Sequence, residues 1–215
     1  MICVSVGNVT ARECAKRIEA ADLAEIRLDT MDVDPVSVRR IFSLPSRLIA
    51  TCRPGRYADD RRFELLANAI AAGAAYVDVE IEAADEFKNA IAALAIRHET
   101  RLIVSYHNYR RTPGQRFLRG AVRDAFRSGA DLAKVACMVN GPGDTLHLID
   151  LLKMKAYTGK LVVVGMGEMG RIVRVTSLFL GCPFTYAFGD EGEPLAPGQM
   201  SARSLKTVME LIRHG

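Results

Sequence analysis

The chain has 215 residues, 49% hydrophobic and 25% charged, with 29 Lys and Arg against 25 Asp and Glu for a formal charge of +4. That length and balance suit one globular domain with a substantial core. The small cationic excess includes no basic run interleaved with aromatics, which gives no nucleic-acid footprint, and no apolar run reaches the ~18 residues of a membrane helix.

The opening Met1-Ile2-Cys3-Val4-Ser5-Val6 has no basic n-region of a signal peptide and reads as a strand that begins at once. Short apolar, β-branched runs then alternate with stretches of helical periodicity. Ile2–Val6 leads to a helix over 10–20, 24–28 to Pro35–Phe42, 47–52 to 59–72, and 76–81 to 84–98. Strand-like 102–106 precedes helical 113–128, 132–137 precedes 144–156, 161–165 precedes 169–180, and 184–188 precedes 201–213. Pro35 and Pro113 stand where a helix begins and its first N–H needs no partner. Gly73 and Gly129 stand just past helix ends, where a positive φ is common.

Strands alternating with helices predict a parallel sheet with right-handed crossovers. Eight such units predict a single-domain (β/α)8 TIM barrel over residues 1–215, where an open doubly wound sheet usually has five or six strands. The length falls short of the ~250 residues typical of the barrel, so the loops must be short.

The five cysteines, Cys3, Cys14, Cys52, Cys137 and Cys182, form no CxxC and no cluster of zinc spacing. They are expected to be reduced, buried thiols of a cytoplasmic protein, with no metal site.

A barrel places its chemistry at the C-terminal ends of its strands. There the sequence offers Ser5, then Glu25, Arg27 and Asp29, then Arg53, then Asp78 and Glu80. His107 follows on strand five, Lys134 on strand six, Met166 on strand seven, and a Gly/Pro loop ending in Gln199 after strand eight. Charges on so many strands of one barrel are costly unless paired or functional.

Lys134 stands in the otherwise apolar Leu132-Ala133-Lys134-Val135-Ala136-Cys137. Alternation puts Lys134 and Ala136 on one face, the lumen, and Val135 and Cys137 on the other. Desolvation disfavours an ammonium, and a neutral amine can attack a ketone to form an imine. The alternative is a structural ion pair with Glu80 or Glu25. His107 lies at a strand end, unlike His98, His147 and His214, and imidazole suits proton transfer near neutral pH. Arg27, Arg53 and Arg174 can clamp a carboxylate or bind hydroxyls through the guanidinium fork, or can instead pair with Glu25, Asp29 or Glu80.

Gly165-Met166-Gly167-Glu168-Met169-Gly170 matches GxGxxG, with Asp190 about 20 residues on. Only one further strand follows, too few for a dinucleotide-binding half, so these glycines belong to the loop after strand seven. Gly189, Gly192 and Gly198 with Pro194 and Pro197 make the last loop a candidate lid that closes Gln199 onto a ligand.

These residues resemble the type I 3-dehydroquinate dehydratases, Schiff-base enzymes of the shikimate pathway. The matching stretches are Glu25-Ile26-Arg27-Leu28-Asp29, Thr51-Cys52-Arg53, Val77-Asp78-Val79-Glu80, Val104-Ser105-Tyr106-His107-Asn108 with Thr112-Pro113, Ala130 to Ala136, and Ala196-Pro197-Gly198-Gln199. The resemblance implies a cytoplasmic enzyme, usually dimeric, acting on 3-dehydroquinate without metal or organic cofactor. It implies Lys134 as the imine-forming lysine and His107 as general acid/base. Arg174 would bind the substrate carboxylate, Glu25, Arg27 and Arg53 would hold ring hydroxyls, Ser5 would also contact the substrate, Met166 would pack on the ring, and Gln199 would close from the loop. Two positions depart from the family. Tyr57 replaces a glutamate that orients the histidine, leaving Asp59, Asp60 or water to do so, and Leu195 replaces a closing-loop serine.

Overall fold

The computed structural model describes residues 1–19 and 21–215. The strands are β1 Ile2–Val6, β2 Ala24–Arg27, β3 Leu48–Thr51, β4 Tyr76–Glu80, β5 Arg101–Asn108, β6 Leu132–Met138, β7 Leu161–Met166, β8 Thr185–Phe188 and a two-residue β9, Met200–Ser201. The helices are α1 Ala11–Ile18, α2 Pro35–Phe42, α3 Asp59–Ala71, α4 Asp85–Arg97, α5 Gln115–Arg127, α6 Pro142–Asp150, α7 Arg171–Phe179 and α8 Ala202–His214. The expected eight strand–helix units are all present, in one domain. The predicted end of the first helix, Ala20, lies outside the described residues.

Most boundaries shift by one or two residues from the sequence reading, and three of the differences bear on the site or its surroundings. β5 continues through His107 and Asn108, so His107 sits within a strand. α5 starts behind Gly114, leaving Pro113 ahead of the cap; Thr112 Oγ1 donates to Met138 O at 2.7 Å and ties this approach to β6. α6 begins at Pro142 and gives way to 3-10 turns at Leu151–Lys153 and Lys155–Tyr157, parted by Met154 at φ −73°, ψ 82°.

All strand pairings are parallel, in the order β7-β6-β5-β4-β3-β2-β1-β8-β9. The ring is continuous except at a seam between β7 and β8. Thr185 N donates to Met1 O, so the backbone of Thr185 faces β1 and that of its neighbours Phe184 and Tyr186 faces the seam. Side chains satisfy those carbonyls: Cys182 Sγ donates to Phe184 O at 3.0 Å and Arg174 Nη1 to Tyr186 O at 3.1 Å. β9 then takes up the ladder against Ala187 and Phe188.

Alternation along the strands separates two cores. Ala24, Ile26, Leu48, Ala50, Val77, Val79, Leu102, Val104, Ala133, Val135 and Cys137 pack against the helices. Cys3, Ile49, Tyr76, Ile103, Leu132, Ala136, Val162, Val164, Phe184 and Tyr186 form a second cluster inside the barrel. The inward parity continues towards the C-terminal ends as Ser5, Thr51, Asp78, Glu80, Ser105, His107 and Lys134. The lumen therefore changes from apolar to polar along its axis. All five cysteines are buried free thiols, and burial pushes Cys14, Cys52 and Cys137 up to about 12.

Candidate active site

The polar end of the lumen opens into a cavity lined by Ser5, Glu25, Arg27, Arg53, His107, Lys134, Met166, Arg174 and Gln199, together with Tyr109, Ala136, Val164, Tyr186, Leu195 and Ala196. The first nine are the residues to which the resemblance assigns a site role; Asp29, Asp78 and Glu80, also offered by the sequence at the strand ends, do not line this space.

Lys134 is not the isolated amine that its strand suggested. Its Nζ donates to Asp78 Oδ2 at 3.0 Å and Glu25 Oε1 at 3.3 Å, and lies 4.0 Å from the centroid of the Tyr186 ring. Glu80, the other partner considered, is engaged elsewhere. Glu25 also accepts from Ser5 Oγ and Thr51 Oγ1, each at 3.1 Å. Burial works against the Glu25 charge, but Lys134 and then Arg27 hold the carboxyl below its ordinary value.

Arg53 grips Asp78 with both terminal nitrogens, Nη2 to Oδ2 at 2.7 Å and Nη1 to Oδ1 at 3.0 Å, and its Nη1 also reaches Glu80 Oε1 at 2.8 Å and Ser105 Oγ at 3.0 Å. Asp78 is fully buried, which disfavours its charge; Arg53 and then Lys134 overcome this and hold it well below the usual carboxylate range. Arg27 is bidentate on Asp29, at 3.0 and 2.7 Å. Two of the three candidate arginines thus spend most of their fork on protein carboxylates.

Arg174 differs. It is 1% exposed, its Nη1 donates only to a backbone carbonyl, and its Nε and Nη2 have no partner. Among the described residues it is the one buried cation without a carboxylate. Burial pushes it down to about 10, still cationic at neutral pH. The GxGxxG segment delivers it here. A Cβ at Gly165 would lie 2.6 Å from Gly170 O, and one at Gly170 2.4 Å from Gly165 C. The glycines therefore let the start of α7 press against β7, leaving no cradle for a pyrophosphate.

His107 is held well below its ordinary value, by burial first and then by Arg53 and Lys134. Its ring stacks on Tyr109, centroids 6.1 Å apart at 14°. No hydrogen bond reaches the ring among the described residues. Tyr57 Oη donates away to Met31 O at 2.8 Å, Asp59 binds Arg62, and Asp60 is exposed. None of the protein groups considered from the sequence orients this histidine.

The last loop already lies over the cavity. Gln199 Nε2 donates to Ser5 Oγ at 3.1 Å, and its Oε1 accepts from Leu195 N at 2.8 Å. Gly167 N donates to Pro197 O at 3.0 Å, and a Cβ at Gly198 would lie 2.0 Å from Gly167 O. Where a serine side chain is missing, the backbone N–H of Leu195 meets the glutamine.

A sequence model of the type I 3-dehydroquinase family matches residues 2–215. The chain belongs to the type I 3-dehydroquinase family. It is 36% identical over 217 residues to the 3-dehydroquinate dehydratase of Desulfotalea psychrophila, covering 96% of each chain. It is 32% identical over 221 residues to that of Methanococcus maripaludis strain C6, covering 99% of this chain and 100% of the relative. These relatives make it a hydro-lyase of the type I 3-dehydroquinase family. Its barrel is also that of the Clostridium difficile type I 3-dehydroquinate dehydratase, with TM-score 0.86 at 24% identity over 98% and 91% of the two chains. The Geobacillus kaustophilus 3-dehydroquinate dehydratase gives 0.87 at 24% over 99% and 90%.

The roles of Thr51, Ser105, Arg62 and Tyr186 escaped the sequence reading. Thr51 and Ser105 share inward parity with Arg53 and His107, which was the available signal. Arg62 comes from a helix, and nothing in its local sequence marks it as buried. Tyr186 sits in an aromatic strand and looks like core; its hydroxyl is buried without a partner, and burial pushes it well above its ordinary value.

Proposed function

We propose that this family member dehydrates 3-dehydroquinate to 3-dehydroshikimate through a Schiff base on Lys134. The observation that carries this reading is one buried lysine and one unpaired buried arginine facing the same cavity. Such a pair suits a substrate with both a ketone and a carboxylate. Arg174 offers Nε and Nη2 to the carboxylate. Glu25, Arg27 and Ser5 meet ring hydroxyls, Met166 packs on the ring, and Gln199 closes from above. Arg53 keeps little of its fork for a ligand and serves chiefly to fix Asp78.

In this scheme Lys134 Nζ, once unprotonated, attacks the ketone carbon, and the carbinolamine loses water to give a cationic imine. That cation acidifies the neighbouring C–H, and the neutral His107 ring accepts the proton. The enamine expels the β-hydroxyl, which leaves as water with the proton returned by His107. Hydrolysis of the imine releases the enone product and the amine. The carboxylates of Glu25 and Asp78 and the Tyr186 ring face stabilise the cationic imine where they now stabilise the ammonium.

A barrel aldolase would share the lysine but requires free backbone N–H groups for a phosphate. Here Gly167 N is given to Pro197 O and Gly170 N to Gly167 O, which favours the dehydratase. The test is the ultraviolet absorbance of the conjugated enone formed from 3-dehydroquinate; its absence with pure protein rejects the reading. Within the same proposal the enzyme is a cytoplasmic homodimer, for which sedimentation measures the assembly.

A further inference from the structure

The ion pairs around Lys134 continue beyond the cavity. They run from Lys134 to Asp78, to Arg53, to Glu80 and on to Arg62 of α3. Arg62 does not line the cavity and its side chain is 3% exposed. Its Nη2 donates to Glu80 Oε2 at 2.6 Å, its Nε to Cys52 O at 2.9 Å and its Nη1 to Asp59 Oδ1 at 2.6 Å. The guanidinium also lies 5.0 Å over the Phe87 ring. Cys52 directly precedes Arg53, and Glu80 is the second carboxylate of Arg53. Arg62 therefore clamps both the backbone that carries Arg53 and an anion that Arg53 binds.

Arg53 Nη1 is contested between Asp78 Oδ1 at 3.0 Å and Glu80 Oε1 at 2.8 Å. Arg62, by taking the other oxygen of Glu80, compensates half of that carboxylate and weakens its claim on Arg53. We infer that Arg62 is a positioning residue: by tethering Glu80 it keeps Arg53 bidentate on Asp78, and so sets how firmly Asp78 holds the Lys134 ammonium. This rests on the Schiff-base reading of Lys134. Without Arg62, Glu80 draws Arg53 towards itself. Asp78, losing part of Arg53, binds the ammonium more tightly. Fewer amines are then free to attack at a given pH, and the acid limb of kcat/KM moves to higher pH.

The experiment measures kcat/KM against pH, thermal unfolding and borohydride trapping with 3-dehydroquinate. The proteins are the wild type, Arg62→Met, Arg62→Lys and the double variant Arg62→Met/Glu80→Gln. Misplacing a reacting group by about 1 Å from a distance costs on the order of 10²-fold, which is the loss expected for Arg62→Met at neutral pH, with the acid limb displaced upward. Arg62→Lys, which keeps a contact to Glu80 alone, is displaced less. In the double variant Glu80 carries no charge to draw on Arg53, and the loss of the Asp59 contact falls on an exposed carboxylate, so the limb returns towards the wild-type position. A lower melting temperature with a wild-type pH profile in Arg62→Met makes the residue a structural clamp and overturns the inference. Should Arg62→Met fail to fold, Arg62→Lys is read by the same criterion. Trapping separates the two proposals. No adduct on Lys134 in the wild type removes the Schiff-base reading, whereas a wild-type adduct with the same pH dependence in the Arg62 variants removes only the role of Arg62.

Discussion

Lys134 Nζ donates to Asp78 Oδ2 at 3.0 Å, inside a barrel where the two side chains are 6% and 0% exposed. Breaking such a pair by removing one charge leaves the other buried and costs about 3–5 kcal/mol. Asp78→Asn preserves shape and removes the anion that both Lys134 and Arg53 use. It is expected to lower stability at pH 7 by about that amount and to move the acid limb of kcat/KM to lower pH, the opposite direction to Arg62→Met. The sign of the pH dependence follows from the depressed Asp78 value. The contribution is present above the unfolded carboxylate pKa of about 3.9 and fades only as pH falls towards the lower folded value. Urea unfolding at pH 7 and at successively lower pH measures both; equal wild-type and variant stabilities at neutral pH contradict it.

Trapping with borohydride in the presence of substrate is expected to modify Lys134 and no other lysine. Lys153, Lys155 and Lys160 lie on the α6–β7 connection, outside the cavity. Mass spectrometry that places the reduced adduct on any of these removes the proposed mechanism.

His107→Ala is expected to retain slow imine formation and lose about 10²–10⁴-fold in turnover, the usual worth of general acid/base catalysis. The ring is neutral at physiological pH because burial, Arg53 and Lys134 all disfavour its protonation. Its own titration therefore lies below the ordinary histidine range, and above that point the ring is ready to accept a proton. NMR titration of the imidazole that shows an ordinary or raised value, or a variant with near wild-type kcat, contradicts this assignment.

The barrel was legible because its signals are local and repeated. Each β-branched run and each helical period is a short-range pattern, and eight of them in series leave little topological choice. The open seam was not legible. There Arg174 and Cys182 satisfy the carbonyls of Tyr186 and Phe184, contacts of side chain with backbone that no local pattern encodes. Lys134 was visible because a charge within an apolar strand is anomalous and His107 because it stands at a strand end, whereas Arg174, on α7, was one possible clamp among three until the resemblance gave it a role. Their partners were harder to assign. The strand-end rule placed Asp78 and Glu80 at the barrel mouth, but which cation each meets depends on the stagger of β3 to β6. Lys134 took Asp78 and Glu25, while Glu80 went to Arg53 and to a helix residue. Tyr57 shows the same limit from the other side: the sequence marked the lost glutamate, and only the fold shows that the tyrosine turns to Met31.

Arg174→Met is expected to raise KM for substrate by about 10- to 10²-fold, since a hydrogen bond to a charged group is worth about 1.5–3 kcal/mol. The ligand-free variant should melt close to the wild type, because relief of a buried cation without a carboxylate offsets the loss of its hydrogen bond to Tyr186 O. Wild-type protein should be stabilised by 3-dehydroquinate or a stable carboxylate analogue, and the variant should not. Calorimetry that shows undiminished binding by Arg174→Met removes the carboxylate assignment.

The loop from Gly189 to Gln199 is expected to act as a lid, and the geometry of its closed form argues for this. Gln199 spans the cavity mouth between Ser5 Oγ and Leu195 N. Pro197 O is fastened to Gly167 N, and the fit is tight enough that a Cβ at Gly198 would collide with the Gly167 backbone. The space beneath is about 40 Å³, room for a few waters at ~10–15 Å³ each and short of a hydroxylated ring carboxylate. Entry therefore requires the loop to lift. Gly198, at φ +69°, is suited to the close approach that re-closure demands. Gln199→Ala removes the span and one ligand contact and is expected to lower kcat/KM by about 0.5–1.5 kcal/mol, or more if the amide meets a charged group. Gly198→Ala brings a methyl group into the Gly167 carbonyl, holds the lid ajar and should cost more than Gln199→Ala. It should also raise the rate at which water or a competing nucleophile reaches the trapped imine. Hydrogen exchange across residues 189–199 with and without ligand reads the motion directly. Protection unchanged by ligand, with kcat/KM unchanged in Gln199→Ala, shows a fixed connection rather than a lid.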